Sequence, residues 1–282
     1  MMREPSVDAD PYAASVRIGT AGWSIPAQYA AAFAQVGPHL ERYARRLGAV
    51  EINSSFYRPH LPRTYQRWAG TVPEDFRFAV KVPREITHTR RLVAVEQPLT
   101  QFVSEAVMLG PKLGPLLLQL PPSLLFEEET ADAFFRQFRS RFGGLVVCEP
   151  RHATWFTDEV DALLSRFQVA RVAADPACVP RAAAPGGWPA LVYYRLHGSP
   201  EIYHSAYGAE YVADLGKRIA RRPVDAEAWC IFDNTARGEA ANDALSLQKW
   251  TSSPAAGAIS LSSSSRSRRF LREAANQTRL LS

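Results

Sequence analysis

The chain has 282 residues, 46% apolar and 22% charged, which is ordinary for a globular protein able to bury one large core. Its apolar runs are strand-sized and its N-terminus, MMREPSVDADPYAAS, lacks the apolar stretch of a signal peptide, so no membrane span and a cytoplasmic location are expected. The net charge of +5 does not describe a basic face: residues 251–282 carry five arginines against Glu273, which leaves +1 for everything before them and disfavours broad nucleic-acid binding.

Strand-like runs begin near residues 16, 49, 76, 116, 145, 169, 191 and 228, with amphipathic stretches between most of them. After the first run, VRIGTAGW, the segment 38–48 places Leu40, Tyr43, Ala44 and Leu47 on one side and stops at Gly48. Helical spacing recurs over 96–114, with Leu99, Phe102, Val103, Ala106 and Leu109 on one face. Over 127–144, acids at the start and arginines at the end suit the helix dipole. The stretch 153–167 has Thr157 as its N-cap, and 209–222 and 238–250 complete the helices. Between Asp175 and Leu191 the run PACVPRAAAPGGWPA is too rich in Pro and Gly for a helix, and we expect a loop there, placed to cover the pocket. Strands alternating with helices imply parallel pairing and right-handed crossovers. The predicted fold is a single α/β (β/α)8 TIM-like barrel over 16–250 with an irregular sixth βα connection, an N-terminal extension at 1–15 and a disordered Ser/Arg-rich tail at 251–282. Cys148, Cys178 and Cys230 show no CxxC spacing, and their odd number argues against a disulfide framework.

Most of these runs end on residues able to do chemistry: Trp23, Glu51 and Asn53, Lys81, Gln119, Glu149 with Arg151 and His152, Asp175, Arg195 and His197, and Asp233 with Asn234. In a barrel of this class the strand C-termini build the active site. Residues two apart share a strand face. Glu51 with Asn53, Arg77 with Lys81, Glu149 with Arg151, Arg171 with Asp175, and Arg195 with His197 are therefore expected to face inward, while Val50, Ile52, Val80, Cys148, Val172, Ala174, Tyr194 and Leu196 face the helices. Buried charges must neutralise one another or bind a ligand. Arg77 and Arg171, well before their strand ends, read as structural.

Two chemistries follow. In the first, Lys81, Arg151 and Arg195 clamp a carboxylate or phosphate while Glu149, His197 or Asp233 act as general acid or base. In the second, Glu149, Asp175, His197 and Asp233 form a divalent-metal site. The interleaved basic residues count against the metal, so no cofactor is assigned. Trp23 and Tyr57 are candidate walls for a ring or sugar, and His88 a candidate loop contact. The absence of HExxH, Walker, GxSxG and GxGxxG patterns makes zincin, P-loop, hydrolase-elbow and dinucleotide readings poor.

The segments GTAGW (19–23), VEINSSFYRP (50–59), FAVKVPREITH (78–88), LGPLLLQLPP (113–122), CEPRHATWF (148–156), YYRLHG (193–198) and FDNTARGEAANDAL (232–245) together resemble the DUF72, or YecE-like, family. The resemblance spans 16–250 and implies a TIM-like barrel with a polar cleft formed by Trp23, Glu51, Asn53, Tyr57, Lys81, His88, Gln119, Glu149, Arg151, His152, Arg195, His197, Asp233 and Asn234. It implies no reaction, because the family is named for its unknown function. The expectation is acid/base chemistry on a small polar, anionic substrate, with Glu149, His197 and Asp233 as the catalytic groups. The alternatives are a nucleic-acid-binding or phosphodiester-processing protein and a ligand-binding barrel without turnover. Oligomeric state is not legible in the sequence.

Overall fold

A computed structural model describes residues 16–253. The predicted extension 1–15 and most of the tail 251–282 lie outside the described residues.

The elements follow the expected order: β1 (Val16–Ala21), α1 (His39–Ala44), β2 (Ala49–Ile52), α2 (Pro62–Thr71), β3 (Arg77–Lys81), α3 (Glu96–Ala106), β4 (Leu113–Gln119), α4 (Glu128–Arg139), β5 (Val146–Glu149), α5 (Asp158–Arg166), β6 (Val169–Arg171), β7 (Ala173–Asp175), β8 (Gly186–Gly187), β9 (Leu191–Leu196), α6 (Ala209–Ala220), β10 (Glu227–Phe232) and α7 (Glu239–Thr251). Every pairing in the sheet is parallel except that of β6 with β8. Thr157 caps α5 as expected, its side chain accepting from the Val160 amide. The helix α2 is not among the expected helices; it opens on Pro62 and buries Tyr65.

The sixth strand is where the barrel closes. It breaks at Val172, so that β6 pairs with β5 below the break and β7 pairs with β9 above it. One chain segment thus serves both neighbours and joins the ends of the sheet. The break also shifts the side-chain alternation. Ala170 and Val172 pack in the barrel interior. Arg171 instead turns outward to Asp161 of α5, with Nε–Oδ1 at 2.7 Å. The expected inward pair of Arg171 and Asp175 is therefore corrected. Asp175 accepts a hydrogen bond from the Tyr207 hydroxyl at 2.8 Å.

The connection 176–190 contains no α-helix, as its composition requires, and its later part lies along β6 and α5 and not over the mouth. Gly186 and Gly187 return antiparallel along β6, and Arg181 reaches Asp161 on α5 at 2.8 Å. The segment occupies the place of the missing helix. Gly187 sits at φ +64°, and a Cβ there would lie 2.5 Å from the Val169 carbonyl oxygen, so only glycine permits this approach.

The interior alternates small and large side chains. Ala49, Ala79, Leu117, Val147, Ala170 and Leu191 surround Trp229, which stacks on Tyr193 with ring centroids 6.0 Å apart. Gly114 leaves room for that indole, since a Cβ there would meet Trp229 Cζ2 at 2.5 Å. This packed layer forms the floor under the polar strand ends. Outside it, the helices bury a separate apolar shell that includes Phe134, Phe135 and Phe138 of α4.

Candidate functional site

Arg195 stands at the centre of the polar layer. Inward alternation on β9 places Tyr193, Arg195 and His197 in one column, rising from the apolar floor toward the mouth. The guanidinium donates to Glu51 from Nε at 3.1 Å and from Nη2 at 2.8 Å. It also reaches Asp233 Oδ2 at 2.8 Å and Glu149 Oε2 at 3.1 Å. Tyr193 adds a hydroxyl donor to Glu51 at 2.9 Å. Burial opposes the charge on Arg195, but Asp233, Glu51 and Glu149 outweigh it and hold its proton well above the usual range. Burial likewise pushes the Glu149 carboxyl up, and Arg151, Arg195 and His197 outweigh it and hold that group well below the usual range. Asp233 is lowered against burial by Arg195, His197 and Lys81.

His197 lies between two carboxylates. Its Nδ1 is 3.1 Å from Asp233 Oδ2 and its Nε2 is 3.0 Å from Glu149 Oε1. Arg151 Nη2 also approaches Nε2, at 2.7 Å, while pairing with Glu149 Oε1 at 2.5 Å. Nε2 therefore meets a donor and an acceptor together and can satisfy one of them at a time. With Arg151 donating to Nε2, the ring N–H is on Nδ1 and donates a hydrogen bond to Asp233 Oδ2.

Above this network several polar groups have no partner. Lys81 Nζ rests 4.2 Å from the centroid of the Phe56 ring and is in no ion pair or hydrogen bond among the described residues. Burial first, then the Arg195 charge, lowers its pKa to about 8 against the pull of Glu51, Glu149 and Asp233. Arg151 Nε and Asn53 Oδ1 are buried without partners. Gln119, half-buried beside Glu149 in the β4–β5 register, makes no side-chain hydrogen bond among the described residues. The Asn53 amide nitrogen lies 3.5 Å from Asp233 Oδ1. These groups end neighbouring strands β2 to β5 and face across to β10.

The strand-tip residues named from sequence thus separate into two tiers. Glu51, Glu149, Arg195 and His197 are together but at most 1% exposed. Arg195, expected to clamp a ligand, is corrected to a buried hub, because its three nitrogens are taken by carboxylates. Lys81 at 7% and Asp233 at 6% exposure border the mouth, with Asn53, Gln119 and Arg151 partly exposed. The remaining candidates stand apart. Asn234 is buried behind the site, donating to Asp243 Oδ2 at 2.7 Å and to the Ser205 carbonyl at 2.9 Å. His152 caps the turn 153–155 by accepting from the Thr154 amide. Trp23 packs edge-on against Trp68 at 5.1 Å. Tyr57 is exposed, its ring edge-on to Phe56. His88 also packs on Phe56, at 5.0 Å, and burial, then the charges of Lys81 and Arg84, lower its pKa. Asp175, proposed as a metal ligand, is engaged by Tyr207, and among the described residues no group of three or more His, Cys, Asp or Glu is arranged to hold a metal ion.

Four contributors are not singled out by the sequence for these roles. Phe56 supports Lys81, and Tyr193 braces Glu51. Tyr203, at φ +70°, sets its ring 5.9 Å from His197. Asp243 on α7 accepts from Asn234 and from the Tyr207 amide, and burial pushes its carboxyl up to about 6. Tyr193 was legible from alternation on β9. Asp243 was marked only by an acid among Ala240, Ala244 and Leu247 on the buried face of its helix.

Comparison with known proteins agrees with this architecture. Residues 17–267 match the family described as protein of unknown function DUF72, a span that runs past Trp250, where the motif reading ends. The chain is 34% identical over 107 residues to the UPF0759 protein YecE of Escherichia coli K12, a match covering 38% of each chain. It is 29% identical over 125 residues to the UPF0759 protein YunF of Bacillus subtilis, covering 42% of this chain and 44% of that one. The chain thus spans about two fifths of the length of these curated relatives. A DUF72 family protein from Enterococcus faecalis superposes with a TM-score of 0.71 at 23% identity, over 84% of this chain and 95% of that one. A second, from Thermotoga maritima, gives 0.69 at 21% identity, over 84% and 99%. These two likenesses establish the TIM-like barrel fold. No helix among the described residues is long and apolar enough to cross a membrane.

Two outcomes follow from the site. Arg195→Met leaves three buried carboxylates without their shared cation and should cost roughly 3–5 kcal/mol in urea unfolding. A loss below about 1 kcal/mol would contradict the hub. For Asp243, the folded pKa of about 6 lies above the ordinary 3.8, so its stabilising contribution is full below pH 4 and disappears as pH rises through 6. Wild-type stability relative to Asp243→Asn should fall by about 2 kcal/mol across that window. A pH-independent difference between the two proteins would refute the assignment.

Proposed function

The chain belongs to the DUF72 family of proteins of unknown function, and for this member we propose that the barrel mouth binds a small anionic substrate and moves protons on it. The observation that carries this reading is the set of unpartnered groups at the strand ends: Lys81 Nζ, Arg151 Nε, Asn53 Oδ1 and the Gln119 amide. Buried polar atoms without partners are unfavourable, and they persist where a ligand completes them.

Lys81 and Arg151 are the cations that an anion reaches from solvent, because Arg195 is already neutralised below them. Asn53 and Gln119 orient the substrate by hydrogen bonds. Acid/base work falls to His197, held by Glu149 and Asp233. When Arg151 turns to the substrate it leaves His197 Nε2, which then faces Glu149 alone. Substrate binding and the hydrogen bonding of His197 are coupled through one side chain. The buried carboxylates keep the imidazole oriented, so the catalytic geometry is set before the substrate arrives.

Malonate, titrated calorimetrically, tests this reading. Binding should weaken by on the order of ten-fold or more in Lys81→Met and in Arg151→Met, with little change in melting temperature for Lys81→Met, which breaks no ion pair. In the wild type it should also weaken as pH rises through about 8, where Lys81 loses its charge, and this step should be absent in Lys81→Met. Equal affinity in all three proteins, or no binding to the wild type, would overturn the proposal.

A further inference from the structure

Among 33 basic side chains other than histidine, only Lys81, Lys112, Lys217 and Lys249 are lysines, and all the rest are arginines. Lys112 is a structural residue whose Nζ donates to the Ala69 and Val72 carbonyls at 2.9 and 2.7 Å. Lys217 and Lys249 lie exposed on α6 and α7. Lys81 differs from all three. It faces the barrel interior at the C-terminal end of β3, its amine touches an aromatic face, and no carboxylate is within 4.0 Å among the described residues.

A site that needed only a cation here would be served at least as well by arginine, whose fork matches a carboxylate and which this chain uses almost everywhere else. Lysine offers what arginine does not: an amine that can give up its proton and attack carbon. The surroundings favour that form. Burial of the side chain and then the neighbouring Arg195 disfavour the ammonium by more than the Phe56 face and the carboxylates favour it, and its pKa is lowered to about 8.

We propose that Lys81 Nζ condenses with a small oxo-carboxylate to form a protonated Schiff base, with the substrate carboxylate held by Arg151. This deepens the anion-binding reading above and rests on it. In the first step the neutral amine attacks the carbonyl carbon. The C–N bond forms, and the carbonyl π pair moves to oxygen, which takes up the proton released by nitrogen. In the second, the carbinolamine hydroxyl accepts one further proton from solvent at the mouth and leaves as water, while the nitrogen lone pair closes the C=N bond. The net change is one amine, one carbonyl and one proton consumed, one iminium and one water formed, with no oxidant or reductant.

Charge balance favours the product. With Lys81 neutral, Glu51, Glu149 and Asp233 face only Arg151 and Arg195. The iminium restores the missing positive charge next to those carboxylates. β4 separates β3 and β5, and the registers set Lys81 level with Leu117 and Val147, so Arg151 starts two strand spacings, roughly 10 Å, across the sheet and four residues, roughly 13 Å, further along it. The position of the oxo group along the substrate is set by that separation.

The test is reductive trapping of the full chain at neutral pH with cyanoborohydride and, separately, pyruvate, acetoacetate and levulinate, which place the oxo group at successive carbons. Peptide mass mapping should put the reduced adduct on Lys81 at on the order of ten-fold the level on exposed Lys217 and Lys249, for at least one of the three acids. Trapping at that position should vanish in Lys81→Arg and drop in Arg151→Met. Labelling of Lys81 no greater than that of Lys217 and Lys249 with every acid would overturn the inference, and the wild-type comparison needs no variant to fold. Malonate binding on the same preparation separates the two readings. Binding without a Lys81 adduct defeats the Schiff base and leaves the anion site standing. Neither binding nor adduct defeats both.

Discussion

Three carboxylates from three different strands share one buried guanidinium. Glu51 comes from β2, Glu149 from β5 and Asp233 from the end of β10, and all converge on Arg195 of β9. Separated, each would be a buried charge at a cost of several kcal/mol. Together they fix where four strand ends must meet, and so they fix the cross-section of the barrel mouth. The apolar floor beneath is built to allow this convergence. Alanines at 49, 79 and 170 and Gly114 leave space for Trp229 and Tyr193, and Tyr193 passes its hydroxyl up to Glu51. The closure of the sheet through the broken sixth strand completes the ring on which the charges depend.

The same constraint decides which residues are left for a ligand. Arg195 has no capacity beyond its carboxylates, so it acts as a scaffold cation. Arg151 is shared between Glu149 and His197 and keeps an unpartnered Nε. Lys81 feels the buried carboxylates at a distance without pairing with any of them. A fully bonded lower tier thus supports an upper tier that is incomplete. That division links stability to function: the buried network orients His197, and the incomplete tier supplies the contacts that a substrate would finish.

Much of this was legible in the sequence because period-two alternation holds wherever a strand pairs regularly. It correctly turns Glu51, Lys81, Glu149, Arg195 and His197 inward. It fails at Arg171 and Val172, where one strand changes partners halfway and the faces exchange, an event decided by barrel closure and not by local residues. Alternation also says nothing of depth. Arg195 and Arg151 look alike in a list of strand tips, yet one is sealed under three acids and the other borders solvent. Asn234 is adjacent to Asp233 but points to the opposite side, toward Asp243 on α7, a contact across the fold that no spacing rule reveals. The family motifs identified the barrel but grouped both tiers together.

A crystal structure soaked in sodium bromide, read by anomalous scattering, tests the two-tier arrangement most directly. The expected result is a bromide ion in the mouth against Lys81 Nζ and the Arg151 guanidinium, with Arg195 still bonded to Glu51, Glu149 and Asp233. A mouth without bromide while surface arginines hold it, or an Arg195 side chain turned out to meet the ion, would contradict it.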